Sequence, residues 1–515
     1  MKILKNFYLQ LLIYSFVLSA FFVVPQAELS SRFLYSITLF LFFLIVSQIH
    51  KKLLWAGVLY SLVVAVLMFP TLVIYGEPNY SFWTSVFYTD YNETISYAKV
   101  VPLEAYIGLL GLIIYTFYFL KLNYSKLSIK YLVPILSAVL LVLPVKKVID
   151  YGFRWNELDK YFNIQPIKRT IAFVGSMYYI NNQQKEIIKI AKKPSTWVVE
   201  NIDEVELKKN FVIVVGESVR RDFLHNYGFG IENTPFIDRT PKIQFDNYIS
   251  VGPLTVVSLT RTLALSDENL QRYELNNSIV NLAKKIGYET FWISNQGIVG
   301  EHNSPISIIA QQSDNLYFLR KGDGDVGLNH YDEEMLPLVD DIIKKKKQKP
   351  KLIVLHMAGS HAFVCDRTKG KYDEFLKSKD ISCYNKSIRN LDLFLGHIYK
   401  TLSKEGGGFN LVYFSDHGQV IKNGLVRHGD SFKESYDAPL IIMGGGNELK
   451  INALRTGRDF LHLFSELNNV KTKNIERNYR FISEDKIESP KVLNGSEQLV
   501  DYDRLPSNSI QQILE

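Results

Sequence analysis

Three stretches of the chain end in side chains that can hold a cation or handle a phosphate. The run 211–215, Phe-Val-Ile-Val-Val, leads into Gly216, Glu217 and Ser218. The run 351–355, Lys-Leu-Ile-Val-Leu, leads into His356 and then His361. The run 411–414, Leu-Val-Tyr-Phe, leads into Ser415, Asp416, His417 and Gly418. Two carboxylates and an imidazole are oxygen and nitrogen ligands that suit Zn2+, with Mn2+ as the second choice. Such a site needs a nucleophile. The segment from Ser250 to Arg261 offers hydroxyls just after Gly252-Pro253, where a turn can open a helix whose free N–H groups attract phosphate. Thr255, Ser258 and Thr260 stand equal on that ground. With 2 cysteines in the chain, a Cys-rich zinc module and a disulfide scaffold are both excluded.

The elements that must carry these residues read as an α/β domain with a mostly parallel central sheet. Strands are expected at 211–215, 289–293, 351–355, 411–414 and 440–443, and helices at 279–286, 335–346 and 384–402. In open α/β sheets ligands bind outside the carboxyl ends of the strands. Glu217, His361, Asp416 and His417 are then delivered to one edge by three separate strands. Singly, each has a plainer reading, such as a helix cap or an incidental Asp-His pair; together they point to a site. His225, His302, His330, His397 and His462 lack any such context and read as surface or satisfied core, and His356 reads as buried core. The lysine run 344–347 reads as a solvated helix end.

The chain has 515 residues, 47% of them hydrophobic, and the averages hide a split. Residues 7–148 are mostly apolar blocks. Five stretches, 8–24, 33–49, 53–75, 101–120 and 131–145, approach the roughly 17–25 residues of a membrane-crossing helix. Lys2, Lys5, Lys51, Lys52, Lys121, Lys126 and Lys130 flank alternate ends of these spans, against Arg32 and Lys99 on the other side. By the positive-inside rule the N-terminus is cytoplasmic, and everything after residue 145 lies outside. The loop 76–99 is aromatic and polar, as residues at the headgroup level are. It reads as an aromatic belt or, alternatively, as a lid that holds a lipid headgroup, with Glu93 available to pair an amine. The net charge of +7 is compatible with an anionic membrane, and no nucleic-acid motif accompanies it.

Taken in order, five N-terminal spans, Val214-Val-Gly-Glu217-Ser-Val-Arg-Arg-Asp222, Tyr227-Gly, Asn233-Thr-Pro235, the Thr255 segment, Gly359-Ser-His361, Ser415-Asp-His417-Gly and Arg427-His428-Gly resemble the phosphoethanolamine transferases. These are inner-membrane enzymes of Gram-negative bacteria with an alkaline-phosphatase/sulfatase-like catalytic domain, and the mobile colistin-resistance enzymes are among them. The resemblance implies a five-helix transmembrane domain (1–148), interfacial helices and a linker (149–205), and a periplasmic catalytic domain (206–515). It singles out Thr255 as nucleophile. It implies zinc ligands at Glu217, Asp416 and His417, with the Thr255 oxygen as the fourth. His361 and His428 would bind the substrate phosphate or a second zinc, and Glu93 would belong to the donor site. The implied donor is phosphatidylethanolamine and the acceptor is lipopolysaccharide, with a monomeric enzyme. Lipid A-modifying members usually carry several disulfides, including one beside the nucleophile, and here no cysteine lies near Thr255; Cys365 and Cys383 could pair with each other outside the cytoplasm or stay as two free thiols. The segment Trp292-Ile-Ser-Asn-Gln296 is similar to that of members that modify core sugars. The nearest alternatives are a phosphoglycerol transferase of the lipoteichoic acid synthase type and a periplasmic glucan phosphoethanolamine transferase. A catalytically dead sensor of the same fold would have lost a ligand or the hydroxyl, and all those positions are filled.

Overall fold

Phe211, Val212, Ile213, Val214 and Val215 are all buried, and β-branched residues without alternation suit a strand covered on both faces. They form the heart of β1 (Asn210–Gly216), in the middle of the main sheet. A computed structural model describes residues 7–511 of the chain, apart from 25–27, 75, 79–81, 84–85, 87–93, 95–96, 99–100, 125–128, 130, 153–157, 192, 297–303, 320–329, 346–348, 362, 447, 476–477 and 488–489. Among the described residues the main sheet has 8 strands. After β1 they are β2 (Lys242–Phe245), β3 (Glu289–Ser294), β4 (Asn315–Phe318), β5 (Lys351–His356), β6 (Phe409–Ser415), β7 (Leu440–Met443) and β8 (Leu449–Ile451). Their spatial order is β8-β2-β7-β6-β1-β5-β3-β4. All neighbours run parallel except around β7, which is antiparallel to both β6 and β2. The five expected strands are present. The three missed ones, β2, β4 and β8, are short and lie towards the sheet edges, where the apolar signal is weak.

The register explains the convergence of the site. Val215 pairs with both His356 and Phe414, and Gly216 with Ser415. The residues that follow β1, β5 and β6 therefore emerge side by side. Buried side chains cover both faces of the sheet.

The contacts divide the described residues into two units, one running to Asn182 and the other from Gln183 onward. The first holds α1 (Phe7–Ala20), α2 (Leu29–Ile49), α3 (Lys51–Ile74), α4 (Leu103–Leu120) and α5 (Val133–Tyr151); the division falls within α6 (Gln165–Ala191). Where five spans are expected, three described helices, α2, α3 and α4, are long and apolar enough to cross a membrane. Helix α1 has 14 residues, about 21 Å at 1.5 Å per residue. Helix α5 has 19 residues but carries Lys146, Lys147 and Asp150. Inside this unit polar groups pair across helices: buried Tyr14 with Thr116 at 3.0 Å, and half-buried Tyr115 with Gln10 at 3.1 Å. Such pairs hold helices together where apolar contact alone gives no preference over lipid.

In the second unit the expected helices appear as α8 (Ile279–Lys285), α9 (Leu336–Lys344) and α10 (Lys379–Glu405), after α7 (Thr255–Thr262). Cys365 and Cys383 are disulfide-bonded across 18 residues. In the chain-entropy model a loop of that length stabilises the fold by about 3 kcal/mol.

Candidate active site and metal centre

Glu217 is 1% exposed. The backbone turns sharply after it, since Ser218 has a φ of 62°. A non-glycine residue in this region is uncommon and clusters at functional sites. The turn is held from several sides. Ser218 N–H donates to Asp416 Oδ1 at 2.8 Å, and Val219 N–H to Ser415 Oγ at 2.8 Å. Tyr384 Oη donates to Ser218 O and accepts from Arg220 N, both at 2.8 Å. The turn after β5 packs directly on Glu217: a Cβ at Gly359, whose φ is +47°, would lie 2.8 Å from Glu217 Cβ and 2.9 Å from its N and O.

Asp416 and His417 follow β6, and both are buried. Asp416 Oδ1 accepts from the N–H groups of Ser218 and His417. His417 Nδ1 is bonded to Gly418 O at 2.7 Å, which turns Nε2 to the other side. Nε2 lies 3.3 Å from Asp416 Oδ2 and 3.7 Å from Glu217 Oε1. One ligand atom from each of the three residues falls within 4.8 Å of the others. Asp416 Oδ2 and His417 Nε2 are buried with no hydrogen-bond partner among the described residues. Orphaned buried polar atoms are costly. A divalent cation would satisfy both at once, and an oxygen, oxygen and nitrogen set fits zinc. Burial and the adjacent Asp416 carboxylate push Glu217 well above the ordinary carboxylate range. A cation would reverse that balance.

The three hydroxyls that the sequence leaves equal are separated by the fold. Ser258 Oγ donates to Asp416 O at 2.6 Å, and Thr260 Oγ1 to Val256 O at 2.6 Å. Thr255 opens α7 and points its hydroxyl at Glu217 Oε2, 3.1 Å away. Beside the cluster, His428 Nε2 lies 3.4 Å from His361 Nε2, and the His428 ring centre is 5.2 Å from that of His417. Burial, with His361 and His417 next to it, holds His428 well below the ordinary imidazole range. His356 lies under this edge, its pKa lowered to about 4 by burial. The remaining histidines point elsewhere: His225 bonds Asp238, His330 bonds Glu334, His397 bonds Asp340, and His462 packs against Tyr479. Glu93 and His302 lie outside the described residues.

Two neighbours of the cluster escape a reading of strand ends that stops at 293. Gln296, just past β3, donates from Nε2 to Glu217 Oε2 at 3.2 Å and to Met357 O at 2.9 Å. Asp332 accepts from the N–H groups of Ala358 and Gly359 at 2.8 and 2.9 Å, clamping the turn that abuts Glu217. The rule that ligand groups gather past the strand ends would have reached Gln296. Asp332 follows no strand and carries no such signal.

The Sulfatase family profile matches residues 209–470, which places the catalytic unit among sulfatase-fold enzymes. Phosphoethanolamine transferase OpgE of Escherichia coli (strain K12) is 31% identical over 457 residues, covering 86% of this chain and 86% of its own length. The integral membrane protein lipooligosaccharide phosphoethanolamine transferase A of Neisseria meningitidis shares the fold with a TM-score of 0.64, at 15% identity, over 91% of this chain and 97% of that one. The C-terminal periplasmic domain of EptC from Escherichia coli, in complex with Zn, aligns with a TM-score of 0.51 at 23% identity, over 61% and 97%. The chain belongs to the sulfatase-domain phosphoethanolamine transferases, and it is an enzyme of that class.

Proposed function

We propose that the protein is a multi-pass inner-membrane enzyme whose periplasmic domain moves phosphoethanolamine from phosphatidylethanolamine to a core sugar of lipopolysaccharide. The observation that carries this reading is the Thr255 hydroxyl aimed at a buried Glu217/Asp416/His417 cluster with two unsatisfied ligand atoms. Residues 1–148 form the membrane domain of five helices, 149–205 the interfacial helices and linker, and 206–515 the catalytic domain. The charges of α5 lie in its last turns, where lysines can reach the headgroup level.

Glu217, Asp416, His417 and Thr255 would hold zinc, which would supply Lewis acidity to make a hydroxyl nucleophilic at neutral pH and to offset phosphoryl charge. The Thr255 oxygen attacks the donor phosphorus. The new Oγ1–P bond replaces the bond to diacylglycerol, which leaves as an alcohol after taking up a proton. Phosphoethanolamine remains on Thr255. His361 and His428 hold the phosphoryl oxygens as charge builds, and the partly exposed His361 can deliver the proton. A sugar hydroxyl then attacks the same phosphorus and frees Thr255. Splitting the transfer in this way lets a lipid donor leave before a bulky saccharide enters. The Trp292–Gln296 segment and the lack of cysteines near Thr255 favour a core sugar over a lipid A phosphate.

Purified protein tests the chemistry. Thr255→Ala is expected to abolish transfer with zinc content near wild type, whereas Asp416→Asn is expected to lose both. Transfer by Thr255→Ala at the normal rate would remove that residue from the mechanism. Mass spectrometry of lipopolysaccharide and of periplasmic glucans from cells with and without the gene identifies the acceptor; phosphoethanolamine lost from glucan alone would overturn the core-sugar assignment.

A further inference from the structure

We propose that Gln296 is a positioning residue that fixes the Glu217 carboxylate for the cation; the inference rests on the metal reading above. The two oxygens of Glu217 have different neighbours. Oε1 accepts from Ser218 Oγ at 2.6 Å and is the one that lies 3.7 Å from His417 Nε2. Oε2 accepts from Thr255 Oγ1 at 3.1 Å and from Gln296 Nε2 at 3.2 Å. The terminal torsion of a glutamate is broad and roughly two-fold, so the carboxylate plane needs outside support to stay put. Thr255 cannot be that support throughout the reaction, because its oxygen is consumed when it bonds to phosphorus. Gln296 can. Its amide is neutral at any pH of interest, offers N–H donors, and takes no part in the bond changes.

The amide is itself held. The same nitrogen donates to Met357 O at 2.9 Å, the first residue past β5. Its neighbour Asn295 donates to Asp332 Oδ1 at 2.9 Å, and Asp332 clamps Ala358 and Gly359. Ser360 N–H closes the ring by donating to Glu217 O at 2.9 Å. Three strand ends, those of β1, β3 and β5, are thus tied to one another around a single carboxylate. Partners that orient ligating groups in this way typically change metal affinity or activity by about 10–100-fold when removed.

The test uses full-length purified protein stripped of metal. Zinc affinity is measured by competition with a chromophoric chelator, and the melting temperature of the metal-free protein is recorded alongside. Gln296→Met keeps the length of the side chain and removes the donor. The expected result is zinc binding weaker by about 10–100-fold with an unchanged metal-free melting temperature. Gln296→Ala, which also removes the bulk, is expected to show the same loss. Wild-type zinc affinity in either folded variant overturns the proposal. Glu217→Gln separates this failure from failure of the metal reading. If Glu217→Gln binds zinc as wild type does, the metal reading falls. If it binds zinc weakly and Gln296→Met binds normally, the positioning role alone falls.

Discussion

His417 shows how little freedom a single residue in this site has. One ring nitrogen is committed to Gly418 O, so the other must face the carboxylates of Asp416 and Glu217. His428 differs. Its ring is half-buried beside two other imidazoles and disfavours the charged form, so in the proposed mechanism it would act as a hydrogen-bonding group near the phosphoryl position and not as a fixed positive charge. Removing a preorganised group that stabilises charge in the transition state typically costs about 10²–10³ in rate. His428→Ala is therefore expected to slow transfer by that order while the zinc content stays near wild type. Loss of that zinc together with activity, measured by elemental analysis, would make His428 a ligand to it.

At the level of elements, the site is a product of what happens just beyond parallel strands. β1, β5 and β6 end in register, and the turns after them must pack closely enough to place ligand atoms within a few ångströms. At Gly359 the turn after β5 packs directly on Glu217. The positive φ there and the contacts a Cβ would make with Glu217 both oppose any side chain. Gly359→Ala is expected to reduce zinc affinity and activity together. The strained backbone alone costs about 1–3 kcal/mol, read as a lower melting temperature of the metal-free protein. A variant with wild-type zinc binding would mean that the turn after β5 can move away without disturbing Glu217.

For the molecule as a whole, buried titratable groups couple stability to pH in opposite senses. The ordinary value for His356 is 6.5 and its folded value is about 4. Between these, the unfolded chain binds a proton that the folded chain refuses, so stability is lost as pH falls through that window. The shift corresponds to about 3 kcal/mol at full extent. Melting curves of the metal-free protein are expected to show a shallower acid-side slope in His356→Leu than in wild type; equal slopes would remove His356 as the cause. Glu217 acts the other way. Its raised pKa means that the metal-free folded state keeps a proton the unfolded chain has released above about 4.5, so metal-free stability declines as pH rises. Zinc should abolish that decline, because a bound cation favours the ionised carboxylate. A metal-free His356→Leu variant whose melting temperature climbs steadily from pH 5 to 8 would contradict this.

Local composition determined much of this. The apolar runs that become β1, β5 and β6 are buried on both faces, so each had to be a central strand, and the polar residues after them had to share one edge. The apolar N-terminal stretch likewise marks helices that belong with lipid. Long-range geometry decided the rest. Thr255, Ser258 and Thr260 are equal in type and spacing as residues; only the direction in which α7 enters the site turns one of them towards Glu217 and the other two into structural bonds. Gln296 and Asp332 lie far along the chain from the carboxylate and turn they support, and hydrogen bonds between such distant segments leave no periodic trace. The short strands β2, β4 and β8, at or next to the sheet edges, owe their structure to neighbours already in place, which short segments cannot announce on their own.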